Sequence, residues 1–404
     1  MENKTNINFI FFALAPTGTG ISGSDRIFIE LTREWSKKIP ITIFTTFEGD
    51  EMIKRQRLAG KFLEIKVIGK IKLPRTFLIK YFYKVYLGIR LGFSLPTTDY
   101  RLPTTYLYSS SDFWMDVFPA VIIKIRFNKL KWIATWFQTA PNPFVGYKEQ
   151  GIRNKGYLLS AFFYWVSQLV SKPLITKFAD KVIVNNEDER KRFPKHTKHG
   201  HTIVLLGAVP FDDIQKFLTT NYQPLATKKY DAVFQGRFHP QKGVVELIDI
   251  WKKVVEKKPD AKLAMIGDGP LMMEVRSKIY DLGFKNNIRL FGYVFDGPVK
   301  YKIFAESKLV LHPAFYDSGG MASAEAMSFG IPAVGFNLKA YESYYPRGMI
   351  KVNTGDLQGF ANAILNLLEN KNMRYKLGKE AQDVIEKNWS WNNRAKEVLL
   401  KINA

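Results

Sequence analysis

The sequence predicts an α/β protein with two doubly wound domains, each built around a parallel sheet. Apolar runs rich in β-forming residues alternate with stretches of helical spacing along the whole chain, which is typical of parallel sheets with crossover helices. A chain of 404 residues also exceeds what one hydrophobic core usually supports. The alternating pattern restarts at residue 231 after a polar stretch. Together these three observations indicate two domains of the same class.

Strand and helix signals follow one another in the N-terminal half. Residues 7–14 form an apolar run that predicts the first buried strand, and residues 24–37 have the spacing of a helix. Further strands are predicted, in chain order, at residues 41–47, 131–135, 181–184 and 203–206.

The C-terminal half begins after a connecting stretch. Gly207, Pro210 and the polar residues up to Lys229 are typical of a link between domains. Residues 231–235 then start a new strand–helix series, and residues 370–404 have helical spacing. Each half therefore predicts its own parallel sheet.

Composition excludes several classes of protein. The chain has no cysteine, so neither a disulfide framework nor a cysteine-ligated zinc site is expected. No apolar run approaches the roughly 18–20 residues that span a bilayer. Only Lys4 provides a basic side chain before the apolar residues 6–15, and Pro16 follows them, which favours a buried strand over a signal peptide. These features are compatible with a cytoplasmic protein.

Positive charge is concentrated in the N-terminal half. The formal net charge is +23, and residues 1–206 hold 32 basic against 16 acidic residues. Residues 54–101 alone hold twelve basic residues against two acidic ones. The sequence leaves open whether this surface binds an anionic membrane, nucleic acid or nothing in particular. Aromatic residues among the cations indicate an interfacial helix, as on the inner face of a membrane: Phe77, Tyr81, Phe82, Tyr83 and Tyr86. No nucleic-acid module is recognisable, so no nucleic-acid partner is expected.

The most informative segment, residues 317–332, reads DSGGMASAEAMSFGIP. An apolar run precedes it and an alanine-rich stretch follows, which predicts a strand, a glycine turn and the start of a helix. Such a turn leaves backbone N–H groups free to meet a ligand, and the helix dipole favours negative charge there. Asp317 and Glu325, eight residues apart, can accept hydrogen bonds from hydroxyl groups. The segment therefore suits a ligand that carries both hydroxyls and phosphates, such as a nucleotide sugar.

Two further blocks agree with this interpretation. Residues 234–243 read FQGRFHPQKG, in which Arg237 and Lys242 can neutralise a pyrophosphate at a strand end. Residues 263–270 read LAMIGDGP, a strand that ends in glycines. With these three blocks in this order, the chain resembles glycosyltransferase family 4, the retaining enzymes of GT-B fold. The resemblance covers most of residues 230–335. It departs from the family's E-x7-E pattern because Asp317 stands in place of the first glutamate.

The resemblance implies a retaining glycosyltransferase that moves a sugar from a nucleotide-diphosphate sugar to an acceptor hydroxyl, in glycan, glycolipid or lipid-linked oligosaccharide synthesis. Asp317 would contact donor-sugar hydroxyls, Glu325 the nucleotide ribose, and Arg237 and Lys242 the diphosphate. The other substrate-binding candidates are Gly319, Gly320, Met321, Gly18, Gly20, Gly267, Val294 and Gln138. No cofactor is expected, and the partners would be the donor and a glycan or lipid-linked acceptor.

The resemblance also implies an architecture of two Rossmann-like domains that face one another across a cleft. Residues 1–206 would form the acceptor-binding domain and residues 207–385 the nucleotide-sugar-binding domain. Residues 386–404 would form a helix that crosses back to the N-terminal domain.

The N-terminal loop offers a rival interpretation. Residues 16–24 read PTGTGISGS, which contains the pattern G-x-G-x-x-G at Gly18, Gly20 and Gly23. With Glu48 near the end of the next strand, this satisfies much of a dinucleotide-binding fingerprint and predicts an NAD-dependent oxidoreductase. That alternative leaves the blocks of the second half unexplained. A nucleotide-sugar epimerase of the same fold is a further alternative.

Metal-dependent chemistry is not indicated. The chain has no D-x-D motif, and Glu187-Asp188-Glu189, the nearest imitation, is predicted to begin a helix. Leaving-group stabilisation by basic residues and helix dipoles, without a metal, is expected. The cluster His196, His199 and His201 is interpreted as a solvated loop rather than a metal site.

Two polar residues are weaker candidates. Many family members place a histidine in an N-terminal loop near the donor sugar, where this chain has Gln138. His312 ends the strand before Asp317 and either lines the donor site or is a hydrogen-bonded core residue.

Overall fold

The computed structural model describes residues 7–16, 21–70, 76–95, 104–140, 142–144, 155–223, 227–317 and 319–404. The chain folds into two compact units. The first consists of Met1–Asn142, Leu159–Leu205 and Trp391–Ala404, and the second of Pro143–Leu158 and Leu206–Ser390.

A seven-stranded parallel sheet forms the centre of the first unit. In chain order its strands are β1 Ile7–Ala13, β2 Ile41–Thr45, β3 Leu63–Val67, β4 Thr104–Ser109, β5 Lys131–Trp136, β6 Lys181–Val184 and β7 Thr202–Val204. Their spatial order is β3-β2-β1-β4-β5-β6-β7, so the strand order reverses beside β1. In register, Phe11 of β1 pairs with Ile43 of β2 and with Tyr108 of β4. This is the strand order of a doubly wound sheet, and such sheets bind ligands at the carboxyl ends of the strands next to the reversal.

Helices cover both faces of this sheet because its central strands are apolar on both sides. They are α1 Gly23–Trp35, α2 Phe47–Arg55, α3 Phe77–Ser94, α4 Trp114–Arg126, α5 Lys155–Phe178, α6 Glu187–Arg190 and α7 Pro194–Lys198. Successive residues of β1 point to opposite faces. Ile10 and Phe12 pack with Trp132 in one core cluster, whereas Phe9 and Phe11 stack on aromatic rings of the other face.

The second unit repeats this plan with six parallel strands. They are β8 Tyr230–Gln235, β9 Leu263–Ile266, β10 Ile288–Gly292, β11 Ser307–His312, β12 Ala333–Phe336 and β13 Met349–Val352, in the spatial order β10-β9-β8-β11-β12-β13. The order reverses at β8, where Val233 pairs with Ala264 of β9 and with Val310 of β11. The predicted fold class, two doubly wound α/β domains, is confirmed.

The helices of the second unit are α8 Phe211–Lys216, α9 Val244–Lys257, α10 Met272–Asp281, α11 Pro298–Ala305, α12 Met321–Met327, α13 Ala340–Tyr344, α14 Leu357–Glu369 and α15 Lys371–Asn388. A π-helix at Phe217–Asn221 and 3₁₀ turns at Pro240–Lys242 and Phe284–Asn286 complete them. One core cluster packs under α9 and α14 around Trp251 and Phe360, and another lies around Tyr341 and Trp389.

The last helix, α16 Trp391–Asn403, belongs to the first unit. The indole N–H of Trp35 donates to the carbonyl of Ala395 at 2.9 Å, and Tyr106 Oη lies 3.3 Å from Asn403 Oδ1. Ile402 is buried at 1% exposure. The chain therefore returns to the first unit after completing the second.

Two details differ from the sequence predictions. The stretch up to Lys229 was predicted as a connection, but it contains α8 and a π-helix, in which Ile214 and Phe217 are buried with Tyr301 of α11. Among the aromatic residues predicted to form an interfacial surface, Tyr81 is buried at 5% exposure because it points towards α4. In the described ranges, no helix combines the length and apolar character needed to cross a membrane.

Candidate functional site

The loops after β8, β9 and β11 meet at the carboxyl edge of the second sheet. The amide of Phe315, after β11, donates to the carbonyl of Gln241, after β8, at 2.9 Å. The amide of Phe238, also after β8, donates to the carbonyl of Asp268, after β9, at 2.9 Å. Backbone hydrogen bonds therefore fix three loops at the point where the strand order reverses.

Glycines permit this close approach. Gly243 has φ 63°, and a Cβ at this position would overlap the carbonyl oxygen of Pro313. Gly267 has φ 143°, and a Cβ there would overlap the carbonyl oxygen of Gly236. Both values of φ lie in a region that L side chains rarely adopt. The backbone conformation and the lack of space therefore explain why residue 267 is a glycine.

Asp317 lies at the centre of this edge. Lys242 Nζ is 2.5 Å from its Oδ2, His312 Nε2 is 2.7 Å from the same oxygen, and the side chain is 8% exposed. Burial acts to raise the pKa of Asp317, but the Lys242 ammonium and the hydrogen bond from His312 hold that pKa well below its usual range. The carboxylate is therefore ionised at every physiological pH. The predicted residues Asp317 and Lys242, 75 positions apart, are brought into contact.

His312 is a hydrogen-bond donor in this arrangement. Burial lowers the pKa of His312 below its usual value, although the Asp317 carboxylate acts in the opposite direction. The ring is therefore neutral at pH 7, and the acceptor at 2.7 Å assigns its proton to Nε2. His312 is thus a buried, hydrogen-bonded residue that contacts Asp317, and its place in the donor site stays a prediction.

The glycine turn after Asp317 is held from below by tyrosines. Gly320 has φ 60° and is the N-cap of α12, and a Cβ at Gly319 would overlap the ring of Tyr344. The hydroxyl of Tyr345 donates to the carbonyls of Gly319 at 3.0 Å and Gly320 at 2.5 Å. These bonds hold both glycine carbonyls at the start of α12. The sequence analysis did not identify the tyrosines, although the pattern AYESYY was visible at residues 340–345.

Glu325 lies one helical turn into α12 and is also buried. Lys300 Nζ of α11 is 2.5 Å from Glu325 Oε1, and Lys300 is 1% exposed. Lys300 is also paired with Asp296. A buried carboxylate needs such a partner because an unpaired buried charge is costly. Lys300 was missed, and no local sequence pattern distinguishes it from a surface lysine.

Arg237 and Val294 lie around this centre. Arg237 is exposed in the loop after β8, and within the described part of the chain no carboxylate pairs with it. Burial, and then the charges of Arg237 and Lys242, lower the pKa of His239 between them to about 4. The loop therefore combines the basic side chains of Arg237 and Lys242 with a neutral imidazole. Val294, after β10, is half-buried against the core around Tyr341.

A second polar cluster lies at the carboxyl edge of the first sheet. Asp116 is fully buried and accepts hydrogen bonds from the Leu14 amide at 2.7 Å and the Ser111 hydroxyl at 2.6 Å. Burial raises the pKa of Asp116 to about 7, although the hydrogen bond from Ser111 acts to lower it. Lys84, 1% exposed, donates to the carbonyl of Pro16 at 2.7 Å. These residues fix the chain just before the glycine-rich loop, and the sequence analysis missed them.

The loop that contains Gln138 is held through its backbone. The Gln138 carbonyl accepts hydrogen bonds from Tyr164 Oη at 2.9 Å and Gln168 Nε2 at 2.7 Å. Glu189, buried at the start of α6, accepts from the Thr139 amide at 2.8 Å. The predicted helix start at residues 187–189 is confirmed.

The rival dinucleotide fingerprint is not supported. Gly18 and Gly20 lie outside the described residues, and Gly23 is the first residue of α1. Glu48, the expected ribose ligand, is paired with Lys80 at 2.7 Å and with Lys84 at 2.9 Å. Each oxygen of the Glu48 carboxylate is therefore already paired with an ammonium group of α3.

The interpretation of the histidine cluster as a solvated loop fits His199 and His201, which are exposed, but is wrong for His196, which lies in α7. His196 is buried, and its Nε2 lies 2.9 Å from the carbonyl oxygen of Ala179. Across the residues with described positions, no group of three or more histidine, cysteine or acidic side chains is arranged to hold a metal ion.

Comparison with known proteins links the second unit to one family. Residues 215–384 match the family model of glycosyl transferases group 1, and this range contains Arg237, Lys242, Asp317 and Glu325. An uncharacterised glycosyltransferase of Methanocaldococcus jannaschii is 25% identical over 246 residues, which is 59% of this chain and 56% of that protein. A poly(glycerol-phosphate) alpha-glucosyltransferase of Bacillus subtilis is 23% identical over 248 residues, 60% of this chain and 32% of that protein. The match therefore spans about half or less of these relatives' length.

A solved structure resembles the whole chain. The Anabaena Alr3699/HepE protein in complex with UDP and glucose superposes with a TM-score of 0.70 over 98% of this chain and 99% of its own, at 15% identity. This similarity confirms the predicted GT-B fold.

Proposed function

We propose that this protein is a retaining, metal-independent glycosyltransferase that moves a sugar from a nucleoside-diphosphate donor to an acceptor hydroxyl. The observation that carries the proposal is the contact of Lys242 with Asp317 at 2.5 Å beside the glycine turn. It joins a cation suited to phosphate with a carboxylate suited to sugar hydroxyls. Both residues lie in the range that matches the group 1 glycosyl transferases.

Lys242 would change partner when the donor binds. Without a donor, its ammonium neutralises Asp317, which is otherwise a buried charge. A diphosphate placed between Lys242 and Arg237 offers the ammonium a stronger anionic partner. Asp317 would then be released to accept hydrogen bonds from the donor sugar. The hydrogen bond from His312 would keep the Asp317 carboxylate oriented. Glu325 would meet the ribose, with Lys300 holding it in place.

In the proposed transfer step, the donor and the acceptor account for every bond, electron pair and proton, so no cofactor takes part. The bond between the anomeric carbon and the diphosphate oxygen breaks, and its electron pair leaves with the nucleoside diphosphate. The acceptor oxygen attacks the same face of the sugar, and its proton passes to the departing phosphate oxygen. Arg237 and Lys242 would stabilise the negative charge that develops on the leaving group. Gln138 stays a candidate for a hydrogen bond to the donor sugar, and the first unit is the proposed acceptor-binding unit.

The donor we propose is a UDP-sugar, because the solved Anabaena structure of the same fold holds UDP and glucose. For the acceptor we propose a hydroxyl of a glycan or a lipid-linked glycan. The similarity to a glucosyltransferase acting on poly(glycerol-phosphate) supports a polyhydroxylated acceptor.

Thermal stabilisation by ligands tests the donor site. The purified protein is heated with UDP, GDP, ADP, their glucose conjugates or NAD, in the presence of EDTA. A ligand that binds only the folded state raises the melting temperature. We expect UDP and UDP-sugars to raise it, with the effect lost in Arg237→Ala and retained in Lys257→Ala, an exposed lysine at the end of α9. Stabilisation by NAD alone would overturn the proposal.

Product analysis tests the reaction itself. Incubation with a UDP-sugar and a glycan acceptor should release UDP and give a product whose anomeric configuration, read by NMR, equals that of the donor. An inverted product would contradict retention. Conversion of the donor to an epimer without an acceptor would identify an epimerase instead.

A further inference from the structure

Helix α3 packs tightly against the first unit by one face. Tyr81, Val85 and Leu91 are buried on this face. Gly88 and Gly92, one turn apart, bring the helix backbone against Met115 and Pro119 of α4, so that an added Cβ would meet backbone atoms there. The rotation of α3 about its own axis is therefore fixed, and so is the identity of its outward face.

That outward face is apolar. The exposed side chains are Leu78 at 50%, Ile79 at 58%, Phe82 at 51%, Tyr86 at 55% and Phe93 at 63%. At 3.6 residues per turn these five positions fall within an arc of about 100°. A helix on the surface of a globular protein normally presents polar side chains on its solvent face. An apolar strip of this kind marks an interaction surface.

The exposed charges used in this argument, beside the strip, are positive. Helix α3 contains no acidic residue, and because its Lys80 and Lys84 are ion-paired with Glu48, the exposed cation that it presents is Arg90. Arg90 is exposed at the border of the strip, about 20° beyond Ile79 around the helix. The segment after β3 reaches the same helix, because the Lys70 amide donates to Tyr83 Oη at 3.2 Å, and this bond places exposed Lys70 beside the helix. A surface that binds this strip must therefore have an apolar interior and an anionic boundary.

We propose that α3 is a membrane-docking helix that lies in the plane of an anionic phospholipid bilayer. The five apolar side chains would enter the boundary between headgroups and acyl chains, and Arg90 and Lys70 would contact phosphate groups. A spanning role does not fit, since α3 is not among helices long and apolar enough for it in the described ranges. This surface goes beyond the proposed transfer reaction and uses none of the residues of the donor site.

The first experiment measures binding of the full chain to vesicles. Sedimentation with phosphatidylcholine vesicles is compared with sedimentation with vesicles that also contain phosphatidylglycerol. We expect binding to the anionic vesicles, with a partition coefficient that falls by about tenfold or more when Phe82, Tyr86 and Phe93 are all changed to serine. Arg90→Gln should weaken binding less and reduce its dependence on salt.

A matched control separates binding through this surface from nonspecific hydrophobic binding to vesicles. Met273, Tyr280 and Tyr375 of the second unit are exposed at 76%, 65% and 75%. Changing these three residues to serine removes comparable apolar area and should leave the partition coefficient within about twofold of the parent. Equal losses in the two triple variants, or equal binding to neutral and anionic vesicles, would overturn the proposal.

A labelled residue reports which face meets the lipid. The chain has no cysteine, so Phe93→Cys and Tyr375→Cys each provide one site for an environment-sensitive dye. Anionic vesicles should shift the emission to the blue at position 93 and leave position 375 unchanged. An emission at position 93 that depends on protein concentration and ignores vesicles would show that a second copy covers the face, and the membrane assignment would then be wrong. Because UDP binding is measured separately, failure here leaves the proposed transfer reaction untouched.

Discussion

At the scale of single residues, the pairing of Asp317 with Lys242 explains how a buried carboxylate keeps its charge. The ammonium lies 2.5 Å from the carboxylate and the His312 ring donates to the same oxygen. Breaking such a pair leaves an uncompensated charge. Each partner is therefore needed by the other before any ligand arrives.

Replacement of Lys242 by methionine should reduce turnover strongly. Methionine keeps much of the side-chain volume and removes the cation that we assign to the leaving diphosphate. We expect UDP release from the best UDP-sugar donor to fall by roughly 10²–10³-fold, the usual effect of losing one stabilising group at a developing charge. Lys257→Met on α9 should behave like the parent. A Lys242→Met rate within about threefold of the parent would refute the diphosphate role.

Asp116 should make the stability of the protein depend on pH. Burial raises the pKa of Asp116 to about 7, whereas an unfolded aspartate titrates near pH ~3.9. Above pH ~4 the unfolded state releases this proton while the folded state keeps it, so the folded state loses stability as pH rises towards 7.

The change Asp116→Asn removes this proton linkage. The free energy of unfolding of the variant, minus that of the parent, should rise between pH 5 and pH 8 by on the order of 2 kcal/mol. Urea unfolding at the two pH values gives the difference. Exposed Asp260→Asn should show no such change, and a constant difference for Asp116→Asn would mean that the carboxyl is ionised in the folded state.

At the scale of elements, the loop after β8 depends on one left-handed glycine. Gly243 has φ 63° and no room for a Cβ beside Pro313. Gly283 has φ 71° but nothing within 4 Å of its Cβ position. The two positions share the backbone strain and differ only in the clash.

Gly243→Ala should therefore cost more stability than Gly283→Ala. We expect about 1 kcal/mol for Gly283→Ala and at least ~3 kcal/mol for Gly243→Ala, measured by urea unfolding. Gly243→Ala should also bind UDP less tightly, because the loop that carries Lys242 must move. Equal costs would show that the loop yields without disturbing the site.

Sequence patterns predicted the elements that have strong local signals. The buried strands at residues 7–14 and 231–235 and the glycine turn after Asp317 were recognised because each has its own apolar run or turn chemistry. Strand β4, Thr104–Ser109, was missed because it reads TTYLYS, with polar residues at both ends and only a short apolar run between them. Its place beside β1 follows from sheet pairing, which no local pattern encodes.

The candidate site was predicted in part for the same reason. Asp317 and Lys242 belong to recognisable blocks, and the structure brings them together. Lys300 and Tyr345 do not, because they support Glu325 and the glycine turn from other helices and loops. Such contacts depend on packing between elements that are distant in sequence.

At the scale of the whole molecule, the first unit depends on the last helix. Ile402 of α16 is buried at 1% exposure, whereas Leu400, two residues earlier, is exposed at 73%. Ile402→Asp places an unpaired charge in the first core and should lower the free energy of unfolding by ~3 kcal/mol or more. Leu400→Asp should change it by less than about 0.5 kcal/mol. Equal melting temperatures for the two variants would show that α16 does not stabilise the first unit.

The return of α16 to the first unit has a consequence for synthesis on the ribosome. Domains generally fold as units while the chain emerges, the N-terminal one first. Along the sequence, the second unit comes between most of the first unit and its last helix. Trp35 and Tyr106 therefore cannot form their hydrogen bonds with Ala395 and Asn403 until the end of the chain has been synthesised. The unit translated first is thus the one completed last. Until then, its unfilled helix site is exposed to chaperones and to premature association with other nascent chains.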